Sequence, residues 1–168
     1  MNENHSKIIY MSGPVSLKEF TTPRGTRVLL DMGGGAVLII PRTRRGAYIL
    51  TVQKRLGSEV PVYEFPSGGI KNGESPEEAA ARELLEETGA VGTLTFVTKV
   101  EPLSGLVKFH VYIFLADIDK ISEEKKSLDE HEDVSIIELR REEMLTKIKS
   151  LEVVDGYLLL GLGALEIS

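Results

Sequence analysis

The segment 75–89 constrains this chain most, because it carries its own start and stop signals for a helix inside a sequence otherwise rich in strand formers. Ser75 can cap, Pro76 suits the first helical position, Glu78 completes a capping box and Gly89 is placed to end the helix. Before it, 8–11, 15–21, 27–32 and 36–40 are short β-rich runs. Ser12-Gly13-Pro14, Pro23-Arg24-Gly25 and Gly33-Gly34-Gly35 separate them, and all three read as turns. The largely apolar run 47–54 reads as a central strand. After the helix come strands over 94–100 and 109–116, a polar stretch 121–133, a strand over 134–139, and helices over 141–150 and 154–166. The order strands, helix, strands, helices predicts an α/β sandwich with a mixed sheet rather than a strictly alternating parallel fold.

Composition excludes several functions. At 168 residues the chain fits one domain. No run approaches the roughly 18 apolar residues of a membrane span, so no membrane partner is expected. The N-terminus MNENHSKIIY lacks an apolar signal core, and with zero cysteines there is no disulfide framework. A cytoplasmic location is expected, and Asn4-His5-Ser6 reads as a chance glycosylation match. The 26 acidic residues against 20 basic ones give a net charge of −6, which argues against a nucleic-acid polymer as partner. A small anionic ligand remains compatible, since bound metal can make a site locally cationic.

The helix itself is a chemical object. At about 100° per residue, setting Glu83 at the origin puts Glu87 at about 40° and Glu86 at about −60°, so three carboxylates share one face. Ala79 and Ala80 lie on the same stripe, and Ala81, Leu84 and Leu85 are expected to pack on the sheet. The like-charge pairs at i,i+3 and i,i+4 each cost about 0.2–0.5 kcal/mol, and they lie toward the helix end that disfavours anions. A divalent cation would reverse those terms, and hard oxygen ligands suit Mg²⁺ or Mn²⁺. The competing account is a solvated acidic face relieved by Arg82 bridging to Glu78 or Glu86.

The flanking residues decide between them. The segment GGIKNGESPEEAAARELLEETGA, residues 68–90, resembles the signature of the Nudix hydrolase family. Its positions fall on Gly68, Glu74, Arg82, Glu83, Leu84, Glu86, Glu87, Gly89 and Ala90, with Ala90 standing where a larger aliphatic residue is usual. The resemblance implies a loop-helix-loop site on an α/β/α sandwich in which Glu83, Glu86 and Glu87 hold divalent metal. It further implies that the Ser67 carbonyl completes the shell, Arg82 orients the glutamates and Glu74 ties loop to helix. Gly68 and Gly89 are then structural residues of the motif. The reaction implied is cleavage of a pyrophosphate bond, which needs cations on the phosphate oxygens, an activated water and a base near it.

Outside the motif, Asp129-Glu130-His131-Glu132-Asp133 is similar to the acidic loop of the family's ADP-ribose pyrophosphatases. That likeness makes Glu130 the base and Glu132 an extra metal ligand. The N-terminal strands, Gln53-Lys54-Arg55 and Tyr63-Glu64-Phe65-Pro66-Ser67 also resemble that branch. They imply a small N-terminal antiparallel sheet over 1–35 that builds a homodimer, ahead of a hydrolase domain over 36–168. Arg55 would contact phosphate, and Tyr63 or Glu64 would lie near base or ribose. ADP-ribose, cut to AMP and ribose 5-phosphate, is the expected substrate. The segment Glu101-Pro102-Leu103-Ser104-Gly105-Leu106-Val107-Lys108 departs from the branch, with its proline early and lysine near an expected acid. Alternatives are a nucleoside triphosphate or dinucleotide pyrophosphohydrolase, and a non-catalytic nucleotide-binding regulator of the same fold.

Overall fold

The computed structural model describes residues 6–56, 58–122, 134–150 and 155–168. Strands β1 (Ser6–Ser12), β2 (Val15–Thr22) and β3 (Gly25–Arg42) lead into β4 (Tyr48–Gln53), β5 (Val62–Glu64) and β6 (Ser67–Gly69). Helix α1 (Pro76–Thr88) is followed by β7 (Ala90–Val100), β8 (Val107–Ile121), β9 (Ser135–Leu139), α2 (Arg141–Lys149) and α3 (Gly156–Leu165).

Among the described residues, β3 is the hub of a nine-stranded mixed sheet. Its first half pairs antiparallel with β2, Thr22 facing Gly25 and Ser16 facing Asp31. Its second half runs parallel to β8, Ala36 facing Val111 and Ile40 facing Leu115, and antiparallel to β6, Val37 facing Gly68. β4 carries β5 on one edge and β9 on the other, and β7 closes antiparallel on β8. Because side chains alternate along a strand, β3 feeds two cores. Val37 and Ile39 pack with Ala79, Ala80 and Leu84 of α1, while Leu38 and Ile40 pack with Met144 of α2 and Leu158 and Leu162 of α3. The architecture is therefore the expected α/β/α sandwich on a mixed sheet, with an antiparallel N-terminal ribbon attached.

Three expectations change. Gly33-Gly34-Gly35 is not a turn: β3 runs through it as one strand, with the register against β8 slipping between Asp31 and Gly35. Gly33 takes φ 70, and a Cβ there would meet the Pro14 carbonyl oxygen at 2.2 Å, so the glycine serves a bulge pressed against the first hairpin turn. Two three-residue strands, β5 and β6, stand where no element is expected. The buried face of α1 is also rotated from the expected one. Leu84 is buried, but Leu85 is 47% exposed and Ala81 is exposed, while Ala79, Ala80, Glu87 and Thr88 point inward. The two alanines let the helix sit close to the sheet, which turns Glu87 into the protein. The expected start of the last helix at Val154 lies outside the described residues, and α3 is capped by Asp155, whose Oδ1 accepts from the Tyr157 N–H at 2.7 Å.

Candidate active site

Helix α1 forms as its sequence dictates. Ser75 and Glu78 exchange the two hydrogen bonds of a capping box, Pro76 opens the first turn, and Gly89 ends the helix in the left-handed region at φ 68. This sets the phase of the glutamates against β6, which antiparallel pairing holds on β3.

The three residues of β6 then receive three side chains of α1 in succession. The Ser67 N–H donates to Glu87 Oε2 at 3.1 Å. Gly68 offers bare backbone to Glu83, whose Oε1 would lie 2.0 Å from a Cβ at that position. The Gly69 carbonyl accepts from Arg82 Nη2 at 3.0 Å. A side chain at residue 68 would displace the Glu83 carboxylate, so that glycine is required by the site rather than by its own backbone.

Arg82 gathers the acids. Its Nε and Nη2 fork onto Glu74 at 2.8 and 3.0 Å, and its Nη1 donates to Glu83 Oε1 at 2.6 Å and Glu86 Oε2 at 3.0 Å. The bridge to Glu86 matches one of the two alternatives read from the sequence, whereas Glu78 is held in the cap. Glu74 also accepts from the Lys71 N–H at 2.9 Å, and the Arg82 hydrogen bonds hold its carboxyl at about 2. Glu74 thereby joins loop to helix.

Burial separates the three glutamates. Glu87, 7% exposed, has its carboxyl pushed up to about 8 by burial, against the opposing pull of the Ser67 N–H. Burial also raises Glu83, opposed by Arg82. Glu86 is the most open, its side chain 36% exposed. Among the described residues, Glu83 Oε2, Glu86 Oε1 and Glu87 Oε1 have no hydrogen-bond partner, which leaves three hard oxygen donors on one face. No three acidic or histidine side chains among the described residues are already drawn to a common ligating point. Arg82 supplies the positive charge around which Glu74, Glu83 and Glu86 gather, while Glu87 is held by the Ser67 N–H.

Arg55 and Glu64 lie beside this cluster. Arg55 Nε and Nη2 donate to the two Glu64 oxygens at 2.9 and 2.8 Å. The carboxylate is 2% exposed while the arginine side chain is 42% exposed. Arg55 and Glu87 lie close enough to feel each other's charge. Tyr63 is not brought to the same place. Neighbouring residues of a strand face opposite ways, so Tyr63 packs with the α2/α3 core, its ring 4.4 Å below Lys147 Nζ. Glu130 and Glu132 lie outside the described residues; the chain re-enters at Val134, with Ser135 paired to Val52. Asp155, whose charge reaches Arg55 and Glu64, carries no signal in the sequence that marks it for the site.

A family model, the NUDIX domain, matches residues 32–157, and the chain belongs to the Nudix family. It is 38% identical over 123 residues to an ADP-ribose pyrophosphatase of Bacillus subtilis (strain 168), a match covering 73% of this chain and 66% of the relative, just under two thirds of the relative's length. It is 27% identical over 177 residues to a GDP-mannose pyrophosphatase of Enterobacter sp. (strain 638), covering 100% of this chain and 92% of the relative. Among solved structures, an ADP compounds hydrolase superposes with a TM-score of 0.77 at 24% identity, over 96% of this chain and 90% of that one, which establishes the shared fold.

Proposed function

We propose that this chain hydrolyses the pyrophosphate bond of a nucleoside diphosphate sugar with the help of a divalent cation, and that ADP-ribose, giving AMP and ribose 5-phosphate, is its preferred substrate. The observation that carries the reading is the convergence of Glu87, Glu83 and Arg82 on the consecutive residues Ser67, Gly68 and Gly69. A buried acidic cluster of this kind is unfavourable by itself, since like charges meet in a poorly solvated place. It fits a hard cation, because the free oxygens of Glu83, Glu86 and Glu87 are the donors that Mg²⁺ or Mn²⁺ takes. When bound, such a cation supplies charge neutralisation on the phosphates and lowers the pKa of an attacking water.

The chain's own residues do the rest. Arg82 and Glu74 hold the glutamates in register, and Arg55 offers a cation to phosphate. Glu130 is the proposed base and Glu132 an additional ligand, with the Ser67 carbonyl as a further donor. The substrate class is supported by two relatives, an ADP-ribose pyrophosphatase and a GDP-mannose pyrophosphatase, whose named substrates are both nucleoside diphosphate sugars. We take residues 1–35 as a dimerising extension of the 36–168 hydrolase domain. In support, every residue of β1 is exposed, among them Ile8, Tyr10 and Met11, an edge that a second copy would cover. Among the described residues no helix is long and apolar enough to cross a membrane, and a cytoplasmic location is proposed with the function.

The test is turnover in Mg²⁺ of a panel holding ADP-ribose, GDP-mannose, other nucleoside diphosphate sugars, dinucleotides and nucleoside triphosphates, with products separated by chromatography. AMP and ribose 5-phosphate from ADP-ribose at the highest kcat/KM is the expected result. Inorganic pyrophosphate from triphosphates as the main product would overturn it.

A further inference from the structure

Glu64 is an anomaly in the core. At 2% exposure it ranks among the largest fully buried side chains, beside Phe65, Leu38 and Leu50. A carboxylate in such a place is strongly unfavourable unless paired, and a hydrophobic residue would pack there without that cost. Its partner is not buried to match: the Arg55 side chain is 42% exposed and follows the end of β4, outside any strand. The pair therefore holds an outward-facing guanidinium from the inside. Only Nε and Nη2 are engaged by Glu64, in a fork at 2.9 and 2.8 Å, and a two-point fork fixes the plane of the group as well as its position.

Without that fork, the guanidinium has another carboxylate to go to. Glu87, which the Ser67 N–H holds three residues beyond Glu64, lies within reach of the charges of both Arg55 and Glu64, while Asp155, also within reach of Arg55, already caps α3 through its Oδ1. Glu87 keeps Oε1 without a hydrogen bond among the described residues. An arginine that settled on that oxygen would form a charge-assisted pair in a poorly solvated place and would occupy a position needed for a cation. Arg82, the other arginine of the cluster, is already spent on Glu74, Glu83, Glu86 and Gly69. Arg55 is thus the cation whose placement is undecided by α1 and β6.

We propose that Glu64 is a positioning residue that holds Arg55 beside Glu87 but off it, so that Glu87 stays available to a divalent cation. This rests on the reading that Glu83, Glu86 and Glu87 bind such a cation, and it assigns Glu64 no contact with substrate. It explains why the acid is buried while the base is not: the buried end is the anchor and the exposed end is the group to be restrained. The restraint requires the fork, not merely the opposite charge.

The experiment is titration with Mn²⁺ alone, without nucleotide, followed by electron paramagnetic resonance of the free ion, on the native chain and on Glu64→Gln, Arg55→Lys, Arg55→Ala and Glu64→Gln/Arg55→Ala. Glu64→Gln is expected to weaken Mn²⁺ binding about 10-fold or more, the range seen when residues behind a metal ligand are lost. Arg55→Lys, which keeps the charge and loses the fork, is expected to weaken it similarly. It changes a half-exposed residue, so it serves as the test if Glu64→Gln fails to fold. Removing the arginine as well, in the double variant, is expected to return Mn²⁺ affinity to within about 2-fold of native. Native-like binding by Arg55→Lys, or a double variant no better than Glu64→Gln, would overturn the proposal. A native chain that binds no Mn²⁺ would instead refute the metal reading on which it rests.

Discussion

At the scale of single residues, the site is organised by what is missing as much as by what is present. A methyl group at position 68 would meet the Glu83 carboxylate first, its Oε1 at 2.0 Å. That carboxylate is the far end of a flexible side chain, so it can move aside while the backbone stays. Gly68→Ala is therefore expected to leave the melting temperature nearly unchanged, with a stability change within about 1 kcal/mol, while Mn²⁺ affinity measured by calorimetry falls at least about 10-fold. A large loss of stability with intact metal binding would refute this account of the glycine. Glu87 behaves in the opposite sense. Its folded carboxyl is raised from 4.5 to about 8 by burial, so protonation favours the fold. That contribution is fully present below the unfolded pKa and is lost as pH rises through about 8. Glu87→Gln, which mimics the protonated form, should stabilise the chelator-treated protein above pH 8, on the order of 1–3 kcal/mol. Little gain is expected near pH 4, and the same variant should abolish turnover. Thermal melts at the two pH values with excess chelator check it, and a Glu87→Gln protein less stable than native at high pH contradicts it.

At the scale of elements, legibility in the sequence followed the range of the interactions that form each one. Helix α1 could be read to its ends because Ser75, Glu78 and Gly89 act within four residues of the backbone groups they satisfy. The acidic stripe could be read from helical geometry alone. The rotation of the helix could not, because it depends on how closely Ala79 and Ala80 approach a sheet built from distant segments. Gly33-Gly34-Gly35 is compatible with turn or bulge, and only pairing with β8 decides. The motif offers Tyr63 or Glu64 to the site without choosing between them, and strand alternation sends them to opposite faces once β5 pairs with β4. The same long-range dependence governs α3, whose Gly161 looks like a helix weakness in sequence. In the fold it lies against Phe65, and a Cβ there would meet ring atoms at 2.4 and 2.5 Å. Phe65 is fully buried and immediately precedes Pro66-Ser67. Gly161→Ala should thus destabilise by about 1–3 kcal/mol through overpacking, despite the better helix propensity of alanine. Urea denaturation measures it, and a stabilised variant would mean that α3 slides rather than strains.

At the scale of the whole molecule, the weak point is the joint between the N-terminal ribbon and the sandwich. β1 contributes no buried side chain, and β2 is held to the body through the first half of β3. Asp31 sits where that half ends, 8% exposed. It accepts from Lys18 of β2 at 2.7 Å, from Lys108 of β8 at 3.4 Å and from the Gly33 N–H at 3.0 Å. One carboxylate thus ties the ribbon, the hub strand and the sandwich together, and Lys108, which departs from the ADP-ribose branch in sequence, is here a partner of that carboxylate. The Lys18 hydrogen bond is the main reason that its carboxyl is lowered from 3.8 to about 2. A depressed folded pKa contributes stability above the unfolded value and loses it as pH falls through the folded one, so the window lies between about pH 4 and pH 2. Glu74 is lowered to about 2 as well, so acid sensitivity of the native chain alone would not identify the joint. Comparison with Asp31→Asn does. The variant should be less stable than native at about pH 6 by chemical denaturation, and the gap should close as pH falls to about 2, because protonated Asp31 and asparagine present nearly the same neutral group to Lys18 and Lys108. A gap independent of pH would mean that the joint is held by packing and strand pairing, and that the charge of Asp31 is incidental to it.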